Sequence, residues 1–483
     1  MHPRLRTLLF GLAASALAVW VGITLANEEH FIAMLSAALA VWAILSWTRG
    51  PRAEAWLLGF LFFGYVIGNR GFAQLAPVPG VPLFPSELGL AIAIALVALR
   101  GALQRELPLR RDWLNGLLLL WLALATGRIG WDVRTYGFLA LRDFALVYYV
   151  LYFFAVQALA RHAPSRHVLS GALRITFAVL PLSGVLATLF PDFFLHNLLV
   201  EGVPLIFYKG DLLATFLFAG YILLLPAGPV DWRREWWRGL AAVLSLLLGL
   251  ALISRASMLG LVIALGWLAW AGRWRPTRVF AAVCAAGLLI VTVHSLLQKK
   301  DFTQTNAYAL YEAVVSVGDF SGTGRYQSTQ SSDKGDNNRF RLIWWKNVAQ
   351  ETLATSPVLG LGFGADLARG FLLEYYPTGD MDFTARSPHN VFLTTLGRMG
   401  LVGAAVLLAI YWVQARITMR VARESRHDPA LEEAMTLQAA VWVVMVSACL
   451  GVVLEGPMGA IPFWIMLGLA HDAANAPEGD IKL

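Results

Sequence analysis

The chain has 483 residues, 58% of them hydrophobic and only 14% charged, with a mean hydropathy of +0.62 and a formal net charge of +7. A soluble chain carries about a quarter charged residues, and here apolar runs of about 20 residues, enough to cross a hydrocarbon core of about 30 Å, recur from end to end. This excludes a soluble globular enzyme and predicts an all-α fold, a polytopic transmembrane helical bundle. The 18 Trp and 13 Tyr suit a membrane protein, whose interfaces collect such rings. Cys284 and Cys449 lie inside apolar runs, which argues against a disulfide framework or a thiolate metal site.

The first 26 residues have a basic start and an apolar middle, the shape of a signal peptide. The apolar part is long for one, and membrane segments follow at once, so it is read as an uncleaved helix. Apolar length predicts about fourteen spans, in the range 12–14. They fall near 7–26, 31–48, 55–74, 85–100, 112–127, 136–160, 167–190, 211–228, 237–253, 256–272, 278–297, 389–414, 433–453 and 456–471. Residues 1–297 would thus hold transmembrane helices 1–11, residues 389–472 helices 12–14, and residues 473–483 a cytoplasmic tail. Arginine clusters alternate with basic-poor loops: Arg4 and Arg6, Arg49 and Arg52, Arg110 and Arg111, Arg161 and Arg166, through to Arg416–Arg426. The positive-inside rule then places both termini in the cytoplasm.

Residues 298–388 form one connection of about 90 residues, far longer than an ordinary loop. The charge parity puts it outside the cytoplasm. Its Gly/Ser-rich part, "SGTGRYQSTQSSDKGDNN", reads as mobile. "RFRLIWWKNVAQETLA" reads as an amphipathic helix with Arg341, Trp345 and Ala349 on one face, lying along the outer surface to cap a cavity. Gly360, Gly362 and Gly364 follow no strand, so they are read as a turn, or at most an anion-binding nest, rather than a dinucleotide fingerprint.

The chemistry is sought where polar groups meet apolar helix ends. In "RSPHNVFLTTLGRMGLVG", Ser387 suits an N-cap and Pro388 a first helical position, which puts His389 in the first turn. The field there favours an anion and a neutral imidazole, and a neutral imidazole can serve as a general base. The plainer reading is an interfacial histidine with a satisfied hydrogen bond. Gly397, Gly400 and Gly403 would let a neighbouring helix approach. Arg255, in "LISRASMLG", needs an anionic partner, a wet cavity or a path to the headgroups. Arg339 and Arg341 open the loop helix on the same side; a solvated face is their plain alternative. Arginine suits the oxygens of a phosphate or diphosphate. Arg142 and Asp143 are either functional or a structural pair, and Glu87, Lys209, Asp211 and Glu455 map to outer helix ends. Glu28, Glu29 and His30 lack further ligands, so no metal site is assigned and no cofactor is expected.

These residues resemble the O-antigen ligase and O-antigen polymerase superfamily of bacterial polytopic membrane glycosyltransferases. The family signature is matched by His389-Asn390, nine residues, Gly400, two residues and Gly403. A Ser-Arg-x-Ala-like element is matched by Ser254-Arg255-Ala256-Ser257, and an arginine before a Trp and a Gly-rich turn by "RFRLIWWK" and Pro357 to Gly364. The resemblance is strongest over residues 240–415, and Arg339 and Arg341 compete for one family position.

The resemblance implies a metal-independent, inverting glycosyltransferase of the inner membrane with a periplasmic active site. Its donor would be a glycan on undecaprenyl pyrophosphate. Its acceptor would be a lipid A-core hydroxyl in a ligase, serving lipopolysaccharide or exopolysaccharide assembly, or a second lipid-linked repeat in a polymerase. His389 would act on the acceptor hydroxyl, and Arg255 with Arg339 or Arg341 would bind the diphosphate. Asn390 would orient the imidazole or cap the helix. No nucleic acid partner is expected. A glycolipid flippase or transporter is the rival from another class, though it requires polar residues near the midplane. A peptidoglycan-type polymerase has no motif here.

Overall fold

A computed structural model describes residues 50–75, 84–104, 109–200, 202–225, 232–297, 329–375 and 386–475, with scattered residues between 15 and 44 and between 303 and 324. Glu28, Glu29, His30, most of the first two expected spans and most of the expected tail lie outside the described residues.

The described chain is almost entirely helical. In order it forms α1 (Pro51–Phe63), a π turn (Gly64–Gly68), α2 (Arg70–Gln74), α3 (Pro85–Gln104), α4 (Trp113–Tyr136), α5 (Phe138–Tyr148), α6 (Leu151–Ala160) and α7 (Ala163–Leu189). A two-stranded hairpin (Leu199–Val200 with Val203–Pro204) follows. Then come α8 (Gly210–Leu224), α9 (Trp232–Ala251), α10 (Arg255–Trp270), α11 (Arg275–Leu297), α12 (Thr329–Thr355), α13 (Arg369–Tyr375), α14 (Val391–Glu424), α15 (Glu432–Ala448) and α16 (Pro457–Ala473).

Among the described residues, seven helical segments are long and apolar enough to cross a bilayer: 85–103, 113–136, 138–160, 163–189, 275–297, 391–424 and 429–448. α8 and α10 are shorter apolar helices. The chain is thus a multi-pass membrane protein. The expected span 55–74 does not form one helix. α1 ends at Phe63, and Asn69 takes a φ of 52° beyond the π turn. Close packing drives the break. A Cβ on Gly64 would strike the Phe72 ring, and one on Gly71 the Pro204 and Leu205 carbonyls.

The chain divides into two compact units. Residues 1–110, 149–209 and 457–483 form the first, in which α1 packs on α7, and α6 on α16 and α3. Buried Glu54 pairs with Arg100, and Asp472 with Arg110 at 2.6 Å. Residues 111–148 and 210–456 form the second, where α8, α10 and α15 pack on one another, α14 packs on α4, and α12 packs on α13 and α14.

The long connection departs from its expected form. Residues 329–338, assigned to the mobile stretch, are already helical, so α12 runs 27 residues. Its buried line is Trp344, Val348 and Thr352, one residue round from the expected Arg341–Trp345–Ala349 face. The shift follows from tertiary packing: Trp344 stacks on Phe371 of α13 at 5.0 Å between ring centres and donates to the Leu367 carbonyl at 2.7 Å.

Candidate functional site

All of the polar groups singled out around His389 and Arg255 belong to the second unit. The start of α10 is built on the start of α8. Ser257 is fully buried, lies 2.9 Å from the Thr215 hydroxyl and donates to the Asp211 carbonyl at 3.2 Å. Ser254, the residue directly after Ile253 in the turn that trails α9, lies 2.8 Å from the Ser257 hydroxyl. Ile253 takes a φ of +49°, unusual for a β-branched residue and of a kind that clusters at functional sites.

Arg255 is the first residue of α10, and its guanidinium donates to Asn338 Oδ1 on α12 at 2.8 Å. One turn along α12, Arg341 is half-buried and its Nε is buried without a hydrogen-bond partner among the described residues. Burial lowers its pKa, the positive charge of Arg255 pushes the same way, and the Asp211 carboxylate opposes both. The two guanidinium groups and one carboxylate are therefore electrostatic neighbours. A guanidinium that starts above about 12 stays charged near neutral pH, so the cluster carries excess positive charge. Arg339, by contrast, is exposed.

The same helix holds the His389 segment. Trp345 donates its indole N–H to the Pro388 carbonyl at 2.6 Å, and the Trp344 ring lies 5.8 Å from the imidazole at 46°. From the other side, Glu455 accepts from Ser387 at 2.8 Å and from Thr394 at 3.1 Å. The expected helix start is corrected here. Helix α14 begins at Val391 with Asn390 as its cap, and Asn390 Oδ1 accepts from the Phe392 and Leu393 amides at 2.9 and 3.1 Å. His389 thus lies before the helix, not in its first turn, with a φ of +56°. Tertiary contacts claim the expected start: the Ser387 hydroxyl goes to Glu455 and the Pro388 carbonyl accepts from Trp345. Asn390, whose side-chain oxygen reaches the second and third amides of a helix, is left to open α14.

The glycines play another part than expected. Helix α14 is broken at Gly400, where φ is 66° and ψ is −163°. The turn at 357–364 docks on the break: Leu361 N–H donates to the Gly397 carbonyl at 2.7 Å, and Leu401 N–H to the Pro357 carbonyl at 2.8 Å. Gly360 and Gly400 have positive φ and pack backbone to backbone, which leaves no room for a Cβ on either. Gly397 receives the Leu367 and Val348 side chains, and a Cβ on Gly403 would meet Met399. Among the described residues, the atoms nearest these places come from the glycine turn, Leu367, α12 and α14 itself. The amides of Gly360, Leu361, Phe363 and Gly364 are taken by Ser356, Gly397, Asp132 and Asp143. The turn is therefore not an anion-binding nest.

Asp143 pairs with Arg398 at 2.7 Å and with Arg386 at 3.7 Å, whereas its sequence neighbour Arg142 is exposed. Arg398 also donates to the Gly362 and Ala365 carbonyls, and Arg386 to the Gly364 carbonyl at 2.6 Å. Arg128 binds Asp132 at 2.9 Å and the Leu359 carbonyl. Sequence reading passed over Arg128 and Asp132; their spacing of four on one helix was the available signal. Of the other acids at helix ends, Asp211 and Glu455 stand in this unit. Glu87 belongs to the first unit, where it caps α3 and accepts from Tyr149 at 2.7 Å; Lys209 is also in that unit.

Comparison with protein families matches residues 240–408 to the O-antigen ligase family, Wzy_C. The match runs from α9 through Arg255, Arg341, the glycine turn and His389 to the α14 break. No curated protein matches the chain.

Proposed function

We propose, from the match of residues 240–408 to the O-antigen ligase family, that the chain transfers a glycan from a polyprenyl diphosphate to a sugar hydroxyl at the periplasmic face of the bacterial inner membrane. The observation that carries this reading is the pairing of Arg255 with a half-buried Arg341 whose Nε has no hydrogen-bond partner among the described residues. α12 joins that pair to His389 through Asn338, Trp344 and Trp345. Helices α8, α10 and α14 all start in this region, and helix starts favour anions. An arginine pair at such a place suits a diphosphate.

In the proposed reaction an imidazole nitrogen of His389 takes the acceptor's hydroxyl proton while that oxygen attacks the anomeric carbon. The new glycosidic bond forms as the bond from that carbon to the diphosphate oxygen breaks. The diphosphate leaves with the electron pair, and Arg255 and Arg341 stabilise its charge. Attack opposite the leaving group inverts the anomeric centre. Asn390 supports the histidine by fixing the start of α14, and Arg339 stands outside the cluster.

His389→Ala should leave an inserted protein that transfers almost nothing, with lipid-linked glycan accumulating on the periplasmic leaflet. Wild-type transfer by this variant would refute the role of His389. Accumulation on the cytoplasmic leaflet would instead support a flippase. In a deletion strain a ligase leaves full-length polymer on its lipid carrier; a single repeat there would overturn the ligase reading in favour of a polymerase.

A further inference from the structure

The glycine turn has more polar partners than a surface turn needs. Its Phe363 and Gly364 amides are taken by Asp132 of α4 and Asp143 of α5. Its carbonyls at Leu359, Gly362, Gly364 and Ala365 are taken by Arg128, Arg398 and Arg386. In water, solvent would serve these groups. In hydrocarbon, irregular backbone is tolerated only where protein satisfies it.

The level of the turn along α14 points the same way. Leu401, Leu408 and Trp412 form an exposed stripe, followed on the same face by exposed Arg416, Arg420 and Arg423. Trp next to Arg marks a membrane boundary. From Arg416 back to Leu401 the helix rises about 22 Å, within a core of about 30 Å. From Leu401 on to Val391 is a further rise of about 15 Å, which brings the His389 end out at headgroup level. The turn bonds Leu401 and Val402, so it shares their depth. At that depth the exposed side chains of residues 353–359 are apolar except for Thr355: Leu353 is 49% exposed, Val358 56% and Leu359 61%, with Ala354 and Pro357 also exposed. Beside them a groove of about 470 Å³ is lined by Leu124, Trp131, Leu359, Met399 and Val402, with Arg128 in its wall. Arg128 is already engaged by Asp132 and the Leu359 carbonyl, so the groove offers a bed for a hydrocarbon chain rather than a headgroup site.

We propose that residues 353–359 form a re-entrant tip immersed in the leaflet nearer His389, in contact with phospholipid acyl chains, one of which fills this groove. Within the long connection, α12 then dips into the bilayer and the chain returns through the glycine turn.

The test places a nitroxide on Val358→Cys or Leu359→Cys in the full chain, with Cys284→Ala and Cys449→Ala as background, in phosphatidylethanolamine–phosphatidylglycerol vesicles. Lys346→Cys, at an exposed polar position on α12, serves as the reference. At 358 and 359 the label should collide with oxygen and lose its collisions with an aqueous nickel chelate, while at 346 the chelate should collide freely. Chelate collisions at 358 equal to those at 346 would overturn the proposal. Protection from both reagents would overturn it too, since the tip would then be covered by protein. The readout does not depend on transferase activity.

Discussion

Gly400→Ala tests whether the break in α14 is a built feature. The φ/ψ of 66° and −163° lies in a region open essentially to glycine alone, and an L residue there costs about 1–3 kcal/mol. A Cβ would also land against the Val358 carbonyl and the Gly360 amide. Relief requires the turn to lift, which breaks the Val402–Val358 bond at 3.3 Å and strains the Leu401–Pro357 bond at 2.8 Å. Each lost bond is worth about 1 kcal/mol. The usual gain of alanine over glycine does not apply, because the position is not helical. The expected loss is about 2–5 kcal/mol. At roughly 2 °C per kcal/mol for a large unit, the unfolding midpoint should fall by roughly 4–10 °C. Tryptophan fluorescence on heating in detergent micelles measures it. Gly266→Ala is the control: it lies in regular α10 with nothing within 4 Å of its would-be Cβ. That variant should melt at or slightly above the wild-type temperature, by at most about 1 kcal/mol. Equal midpoints for Gly400→Ala and wild type would refute the account of the break.

Two further substitutions separate roles that share a stretch of sequence. Arg341→Ala should abolish most glycan transfer, whereas Arg339→Ala, at an exposed position, should keep transfer near normal; equal damage from both would refute the assignment to Arg341. Asn390→Ala should destabilise α14 by about 0.5–2 kcal/mol while Asn390→Asp, which still caps, should not. A large loss of transfer in Asn390→Asp at unchanged melting temperature would instead make the amide a substrate contact.

Local pattern exposed most of the helices and little of what joins them. Apolar runs located α3, α8, α10, α11 and α15 closely, because a lipid-facing or buried helix must be apolar along its length. The spacing from His389 to Gly400 was legible too, but not its reason, since a positive φ leaves no mark on composition. Capping was one of the two roles expected of Asn390, but the helix start was placed at Ser387 because Ser387-Pro388 is an equally good local start. The partnership of Asp143 with Arg398 was invisible because the residues are remote in sequence and tertiary packing alone joins them. The buried face of α12 was displaced by one position for the same reason: Trp344 is drawn in by Phe371 of α13.

The two contacts that α12 makes have a consequence for how such a site could vary. Asn338 takes Arg255, and Trp344 and Trp345 take the His389 segment, so the anion-holding and proton-accepting sides are spaced by a single stretch of helix. That stretch is a gauge of roughly 9–10 Å. One inserted residue would lengthen it by about 1.5 Å and turn one contact about 100° away from the other. Extra residues before Thr329, where α12 begins, leave that gauge unchanged. Between Asn338 and Trp345 they change the phase of the chemistry itself.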